Sequence, residues 1–345
     1  MSPRIFITGV TGYIGGHQLG PLLTAHPEYK VAALVRNEAQ AKAVKAAYPA
    51  VETVLGDLDN DQVLRSEAGK ADVVLNLASA DHIAGAVSLI KGIAGSQKNT
   101  KLIHISGTGI LGDTSTGAGN KSEKVYRDMS STDIGEILSF DLTHIHRDVE
   151  EAVIAAAKEN GVTAAIISPP MIHGVGAGPV KKRSIQVPIL IENILKRGKG
   201  FQVLEGNNIW NSVHIDDLAS AITLLTEEAL KGTESKAAWL PEGYYFTESN
   251  EFRWGDISEA VAKIAHDKGL IATADVEKLS PEEATAIHPW GTILWGTNSR
   301  GSAERLRALG WKTSGKSIAD SLPAMVAFEA AAEEGQRQEL TFADK

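Results

Sequence analysis

The first hundred residues constrain this chain most. Short apolar runs at 4–8, 30–36, 51–55, 72–77 and 101–106 alternate with helical stretches at 13–24, 38–47, 61–68 and 82–93. Near-continuous Val/Ile/Leu strands, with no polar residue at every second position, are buried on both faces, which implies a parallel sheet with helices on each side. Right-handed crossovers then wind it doubly. The expected fold is α/β, a doubly wound parallel sheet with a smaller C-terminal lobe. Residues 1–170 are expected to form the body around this sheet. Residues 171–345 form a mostly helical lobe with strand returns to the main sheet.

Past residue 106 the pattern changes. Residues 107–139 are rich in Gly, Ser, Thr and Asp, and read either as a functional lid or as a surface excursion. A helix is expected over 143–159 and a strand over 162–168. Further helices fall at 187–195, 216–230, 253–267, 299–309 and 318–334, short strands at 211–214 and 243–246, and a frayed charged tail at 329–339.

Composition removes whole classes of function. The chain has no Cys, so disulfides, thiolate metal sites and Cys nucleophiles are all absent. A formal charge of -9 argues against a nucleic-acid or anionic-membrane surface. No apolar run approaches the roughly 18–20 residues of a membrane helix, and the expected compartment is cytoplasmic. His144 and His146 lack the i, i+4 spacing of helical metal ligands, so no metal is expected.

The chemistry begins at Thr8-Gly9-Val10-Thr11-Gly12-Tyr13-Ile14-Gly15. Glycines at the first strand-to-helix turn let the backbone approach a pyrophosphate, and the helix N-terminus offers it free N–H groups. With Thr8-Gly9 and the two later glycines in place, the motif resembles that of the short-chain dehydrogenase/reductase superfamily, in its extended, epimerase/dehydratase-like branch. Five more segments carry the resemblance: Gly56-Asp57-Leu58, Asn76-Leu77-Ala78, Pro169-Pro170-Met171-Ile172-His173-Gly174, Val213 to Ala219, and Asn298-Ser299-Arg300 with Leu309-Gly310-Trp311. It implies a Rossmann-type fold, a bound dinucleotide, a small-molecule substrate and a homodimer. The implied cofactor residues are Thr8, Gly9, Thr11, Gly12, Tyr13, Ile14, Gly15, Asp57, Leu58, Leu77, Ala78, Ser106, His146, Pro169, Pro170 and Ile172. Strand two ends in Arg36, with no acid before Glu38. Arg36 suits the 2′-phosphate of NADP(H) better than NAD(H); otherwise it is a solvated strand-end residue.

The superfamily's Tyr-x-x-x-Lys is missing. The six tyrosines, Tyr13, Tyr29, Tyr48, Tyr126, Tyr244 and Tyr245, are followed four positions on by His, Ala, Glu, Ser, Glu and Ser. Counting from Gly161 and Pro169 puts the Tyr position near Leu142 and the Lys position near His146; a small gap would make them His144 and Asp148. The usual Ser/Thr falls at Gly107, between Ser106 and Thr108. A rebuilt site would draw on His146, His144, Arg147, Tyr126 with Asp128, Ser106, Thr108 and His173, since His is the usual acid/base near neutral pH. Such a chain would be an atypical NADP(H)-dependent reductase of a small carbonyl or conjugated metabolite, aromatic ones included. The alternatives are an NADP(H)-binding regulator, as in the NmrA-like branch, and a non-redox isomerase or cyclase. Trp210, Trp290 and Trp295 line an aromatic pocket or pack the lobe. His214 and Asp217 are expected to cap a helix, and Lys181-Lys182-Arg183 to form a solvated loop.

Overall fold

A computed structural model of the protein describes residues 2–332. The chain runs β1 (Arg4–Thr8), α1 (Tyr13–Ala25), β2 (Lys30–Val35), α2 (Glu38–Ala47), β3 (Glu52–Leu55), α3 (Asp61–Lys70), β4 (Val73–Asn76), α4 (Ile83–Ala94) and β5 (Lys101–Ile105). It continues through β6 (Tyr126–Arg127), α5 (Ser131–Leu138), α6 (Arg147–Asn160), β7 (Thr163–Ser168), β8 (Met171–His173), α7 (Gln186–Arg197), β9 (Gly200–Val203), β10 (Ile209–His214), α8 (Ile215–Leu230) and β11 (Tyr244–Phe246). The last elements are β12 (Asn250–Arg253), α9 (Trp254–Asp267), β13 (Val276–Leu279), α10 (Pro281–Ile287), α11 (Gly291–Gly296), β14 (Gly301–Ser302), α12 (Glu304–Ala308) and α13 (Ile318–Ala331).

Seven strands form one parallel sheet in the order β11-β7-β5-β4-β1-β2-β3. The order reverses between β1 and β4, and such a switch point opens a crevice beyond the strand carboxyl ends, where ligands bind. The central strands β1, β4 and β5 are buried almost throughout, as the unbroken apolar runs require. Local signals set the helix starts: Asn37 and Asn60 accept N–H bonds from Gln40 and Val63 at the heads of α2 and α3, and Ser280 and Ser317 form capping boxes on α10 and α13. A second core gathers Met171, α7, Phe201, Trp210, Trp254, Trp295 and α13. Meanwhile α8, β11, Leu306 and Trp311 return to the first core, so the body around the sheet recruits chain from well beyond residue 170.

Four expectations need correction. The segment 107–139 is not structureless: it holds a short 3-10 turn (Thr108–Leu111), β6 and α5. Tyr126 pairs in register with Gly301, a contact invisible to local pattern. The helix expected over 143–159 starts only at Arg147, because His146 takes a left-handed backbone (φ 69°) and breaks the run. The helix expected over 299–309 is reduced to Glu304–Ala308, since Gly301 and Ser302 are drawn into β14. Glu329 is no frayed end, being 1% exposed and paired with Arg183; residues 333–339 of the expected tail lie outside the described residues.

Candidate active site

The first βα turn is built for close approach. Gly9 has φ +82°, and a Cβ there would lie 2.5 Å from the Leu77 carbonyl oxygen. A Cβ on Gly15 would lie 2.4 Å from the Gly9 carbonyl oxygen. Only glycine lets α1, the turn and the β4 end meet so tightly. Helix α1 has no capping side chain at Gly12 and no acid in its first turn. Its partial positive charge is therefore left for an anion.

Two adjoining cavities open there. The larger, about 430 Å³, is lined by Gly12, Tyr13, Ile14, Leu77, Ala78, Ser106, Thr108, His146, Pro169, Pro170 and Ile172 among others. The smaller, about 240 Å³, is lined by Gly9, Thr11, Gly12, Leu34, Arg36, Gly56, Asp57, Leu58, Ala78 and Lys181. A dinucleotide fits this pair of cavities on the observations above: a glycine cradle that a Cβ would fill, and an uncompensated helix N-terminus between the two halves. Of the expected cofactor residues, Thr8 and Gly15 stand behind the cavities. The Thr8 hydroxyl donates to Asn76 Oδ1 (2.6 Å), and Asn76 Nδ2 meets His104 Nδ1 (2.9 Å), a buried chain across β1, β4 and β5.

At the end away from Arg36, His146 lines the larger cavity. Its Nδ1 lies 2.7 Å from Asp81 Oδ1. The ionised carboxylate only accepts, so Nδ1 carries the proton. Nε2 points over Gly107: a Cβ built at 107 would meet it at 3.1 Å. The imidazole thus occupies the space that a side chain at 107 would need. A left-handed backbone in a non-glycine residue is strained and persists only when its surroundings enforce it; here Asp81 holds the ring. Thr108 Oγ1, buried in the same wall, has no partner among the described residues, a polar atom that a bound ligand would satisfy. Ser106 points away: its hydroxyl donates to Glu150 Oε1 at 2.5 Å, as does the Tyr244 hydroxyl at 2.8 Å. Burial pushes the Glu150 carboxyl above its ordinary range. Ile145, Met171, Ile185, Trp210, Ile293 and Leu294 give the cavity an apolar lining.

Four expected catalytic residues do not line the cavity. His144, left outside the helix, stacks on Phe140 and meets the Ile110 carbonyl at 3.1 Å. Arg147 follows the left-handed turn inward and donates to the Leu138 carbonyl. Tyr126 donates to Glu136 (3.0 Å), and burial with that carboxylate raises its phenol. Asp128 is a brace rather than a lid group, accepting the Phe246 and Arg305 backbone N–H groups. His173 is fully buried against Ser321 (2.8 Å), and burial with the nearby His214 pushes it down to about 3, so it stays neutral. Leu142 is exposed in the turn before α6, and Asp148 caps its neighbour's N–H.

Elsewhere, His214 caps α8 through the Asp216 N–H, and Asp217 holds Ser314. Trp210 lines the cavity while Trp295 packs in the second core. Arg183, expected in a solvated loop, is held by Glu192 and Glu329. Sequence reasoning passed over Asp81 and gave Lys181 to a solvated loop, whereas it lines both cavities. Asp81 had a signal, an acid just beyond the carboxyl end of a parallel strand at the switch point. Lys181 had none, because only the tertiary fold brings it to Arg36.

The family model for the NAD dependent epimerase/dehydratase family matches residues 5–237. The chain is 34% identical over 344 residues to oxidase ucsJ of an Acremonium species, covering 96% of this chain and 98% of that protein. The fold is also that of the dTDP-glucose 4,6-dehydratase from Bacillus anthracis in complex with NAD (TM-score 0.65, 16% identity, 96% and 98% of the two chains). Vestitone reductase from alfalfa shares it too (TM-score 0.61, 17% identity, 94% and 97%). The protein belongs to the NAD-dependent epimerase/dehydratase family, within the extended short-chain dehydrogenase/reductase superfamily. Among the described residues no helix is long and apolar enough to cross a membrane.

Proposed function

We propose that the protein is an NADP(H)-dependent oxidoreductase of a small, largely apolar carbonyl or conjugated substrate, with His146 as its acid/base in place of the missing tyrosine. The observation that carries this reading is His146 itself, strained at φ 69°, tied at Nδ1 to Asp81 and facing the cavity with Nε2. A bound nicotinamide supplies or accepts the hydride. Protonated on both nitrogens, His146 would give its Nε2 proton to the substrate oxygen in reduction; protonated on Nδ1 alone, it would take that proton at Nε2 in oxidation. Asp81 fixes the tautomer and stabilises the imidazolium when it forms. Thr108 Oγ1 orients the same oxygen by hydrogen bond. Ile172, Trp210 and Leu294 keep bulk water from the reacting carbon.

The name of the 34% relative, an oxidase, supports redox turnover over a purely regulatory role. Arg36 supports NADP(H): it lines the smaller cavity, and no carboxylate pairs with it among the described residues. The test is purified protein with NADPH and a panel of aliphatic and aromatic carbonyls, following the absorbance of reduced nicotinamide. His146→Ala should lose turnover by about 10²–10⁴-fold while NADPH still binds. Tight NADPH binding with no turnover across the panel, in either direction, would favour the regulator instead.

A further inference from the structure

Residues 174–185 join β8 to α7 and cross over the first βα turn as a strap. The Lys181 N–H donates to the Thr11 carbonyl (3.3 Å), the Tyr13 hydroxyl to the Gly174 carbonyl (2.8 Å), and the Ala177 N–H to His17 Nδ1 (3.1 Å). Gly178 sits so close to α1 that a Cβ on it would lie 2.9 Å from the Gly16 backbone. The Gly176 N–H bonds the Lys182 carbonyl, which closes the strap on itself. Its far end is fixed by Arg183, whose guanidinium meets Glu192 at 2.7 Å and Glu329 of α13 at 2.9 Å.

This anchoring fixes where Lys181 can reach. It lines both cavities, and in the smaller one it shares the wall with Arg36. Among the described residues neither side chain has a carboxylate partner. Asp57, the acid of that wall, accepts the Asp59 N–H. Burial and the nearby Arg36 charge together lower the Lys181 ammonium from its ordinary range. Two cations held side by side and unneutralised cost free energy until an anion arrives.

We propose that Lys181, carried on this strap, is a second ligand of the cofactor's 2′-phosphate beside Arg36, and so a determinant of NADP(H) over NAD(H). The inference rests on the NADP(H) reading above. The two phosphate-binding side chains come from segments far apart in sequence, one just after β2, the other on the strap. A phosphate monoester between them would satisfy both charges through charge-assisted hydrogen bonds.

The experiment is a fluorescence titration of wild type, Arg36→Ala, Lys181→Ala and Lys181→Met with NADPH, NADH and 2′,5′-ADP. In wild type NADPH should bind more tightly than NADH. Both Lys181 variants should lose about 10–100-fold for NADPH and 2′,5′-ADP, as expected for a lost charged hydrogen bond, and hold NADH within about twofold. Retained NADH binding also shows that the variants fold. Equal losses for NADPH and NADH would place Lys181 on the pyrophosphate and overturn the proposal, and so would no loss for either. Wild type without NADPH preference would overturn the NADP(H) reading itself, which separates the two failures.

Discussion

Asp81→Asn is the sharpest perturbation of the site, because it removes a charge and little else. Asparagine has nearly the same volume, and its amide oxygen can still accept the His146 Nδ1–H. What is lost is the negative charge 2.7 Å from the ring, the two side chains being 18% and 14% exposed. A hydrogen bond to a charged group contributes about 1.5–3 kcal/mol, and partial exposure places this one near the lower end. A loss of about 1.5–2 kcal/mol in the imidazolium-bearing transition state is a fall of about 10–30-fold in kcat. The assay is steady-state NADP+ reduction with the alcohol of the best carbonyl from the panel, the direction in which the imidazolium forms, paired with NADPH titration. The kcat should fall while the NADPH Kd stays within about twofold. Because Asp81 reaches the reacting atoms through His146, the double variant Asp81→Asn/His146→Ala should be no slower than His146→Ala alone. Wild-type kcat in Asp81→Asn, or a further loss in the double variant, would refute the dyad.

Other outcomes follow from the same structure. Gly15→Ala forces a Cβ to within 2.4 Å of the Gly9 carbonyl, so it should lose about 1–3 kcal/mol of stability and most NADPH affinity, read by thermal melts with and without cofactor. Acid should destabilise the fold through His104 and His173, which are buried and whose folded values are lowered to about 4 and about 3. The unfolded chain binds these protons first, near pH 6.5. Their stabilisation is therefore complete above that pH and lost as pH falls through the window down to about 4 and 3. The slope is about 1.4 kcal/mol per pH unit for each, measurable as a falling urea midpoint between pH 7 and 5; His173→Gln should flatten it. Glu329→Gln takes one carboxylate from the buried Arg183, which keeps Glu192, and should cost roughly 1.5–3 kcal/mol in denaturant unfolding and loosen the strap.

The cofactor half of the site was legible because its signals are local. Strand β1, the glycines at 9, 12 and 15, and Arg36 after β2 lie within a single βαβ unit, and each dictates backbone geometry where it stands. The catalytic half was only partly legible. Counting from Gly161 and Pro169 put the family's Lys position near His146, which lines the larger cavity, but periodicity ran the helix back to residue 143. Nothing in the apolar pattern encodes the left-handed turn that Asp81 holds. With the helix starting four residues later, His144 and Arg147 turn away from the cavity. Tyr126 and Lys181 failed for a different reason. Tyr126 is fixed by pairing with Gly301, and Lys181 by the strap's bonds to Thr11 and Tyr13, contacts between segments far apart in sequence that no window contains.

A single-turnover reaction tests the central claim most directly. Excess protein is loaded with NADPH and mixed with a reactive carbonyl substrate, and the reduced-nicotinamide absorbance is followed beside the same reaction with His146→Ala. Wild type should show a full single exponential loss of that absorbance, slowed about a hundredfold or more in the variant at equal NADPH occupancy. Equal rates in the two proteins would contradict proton transfer by His146.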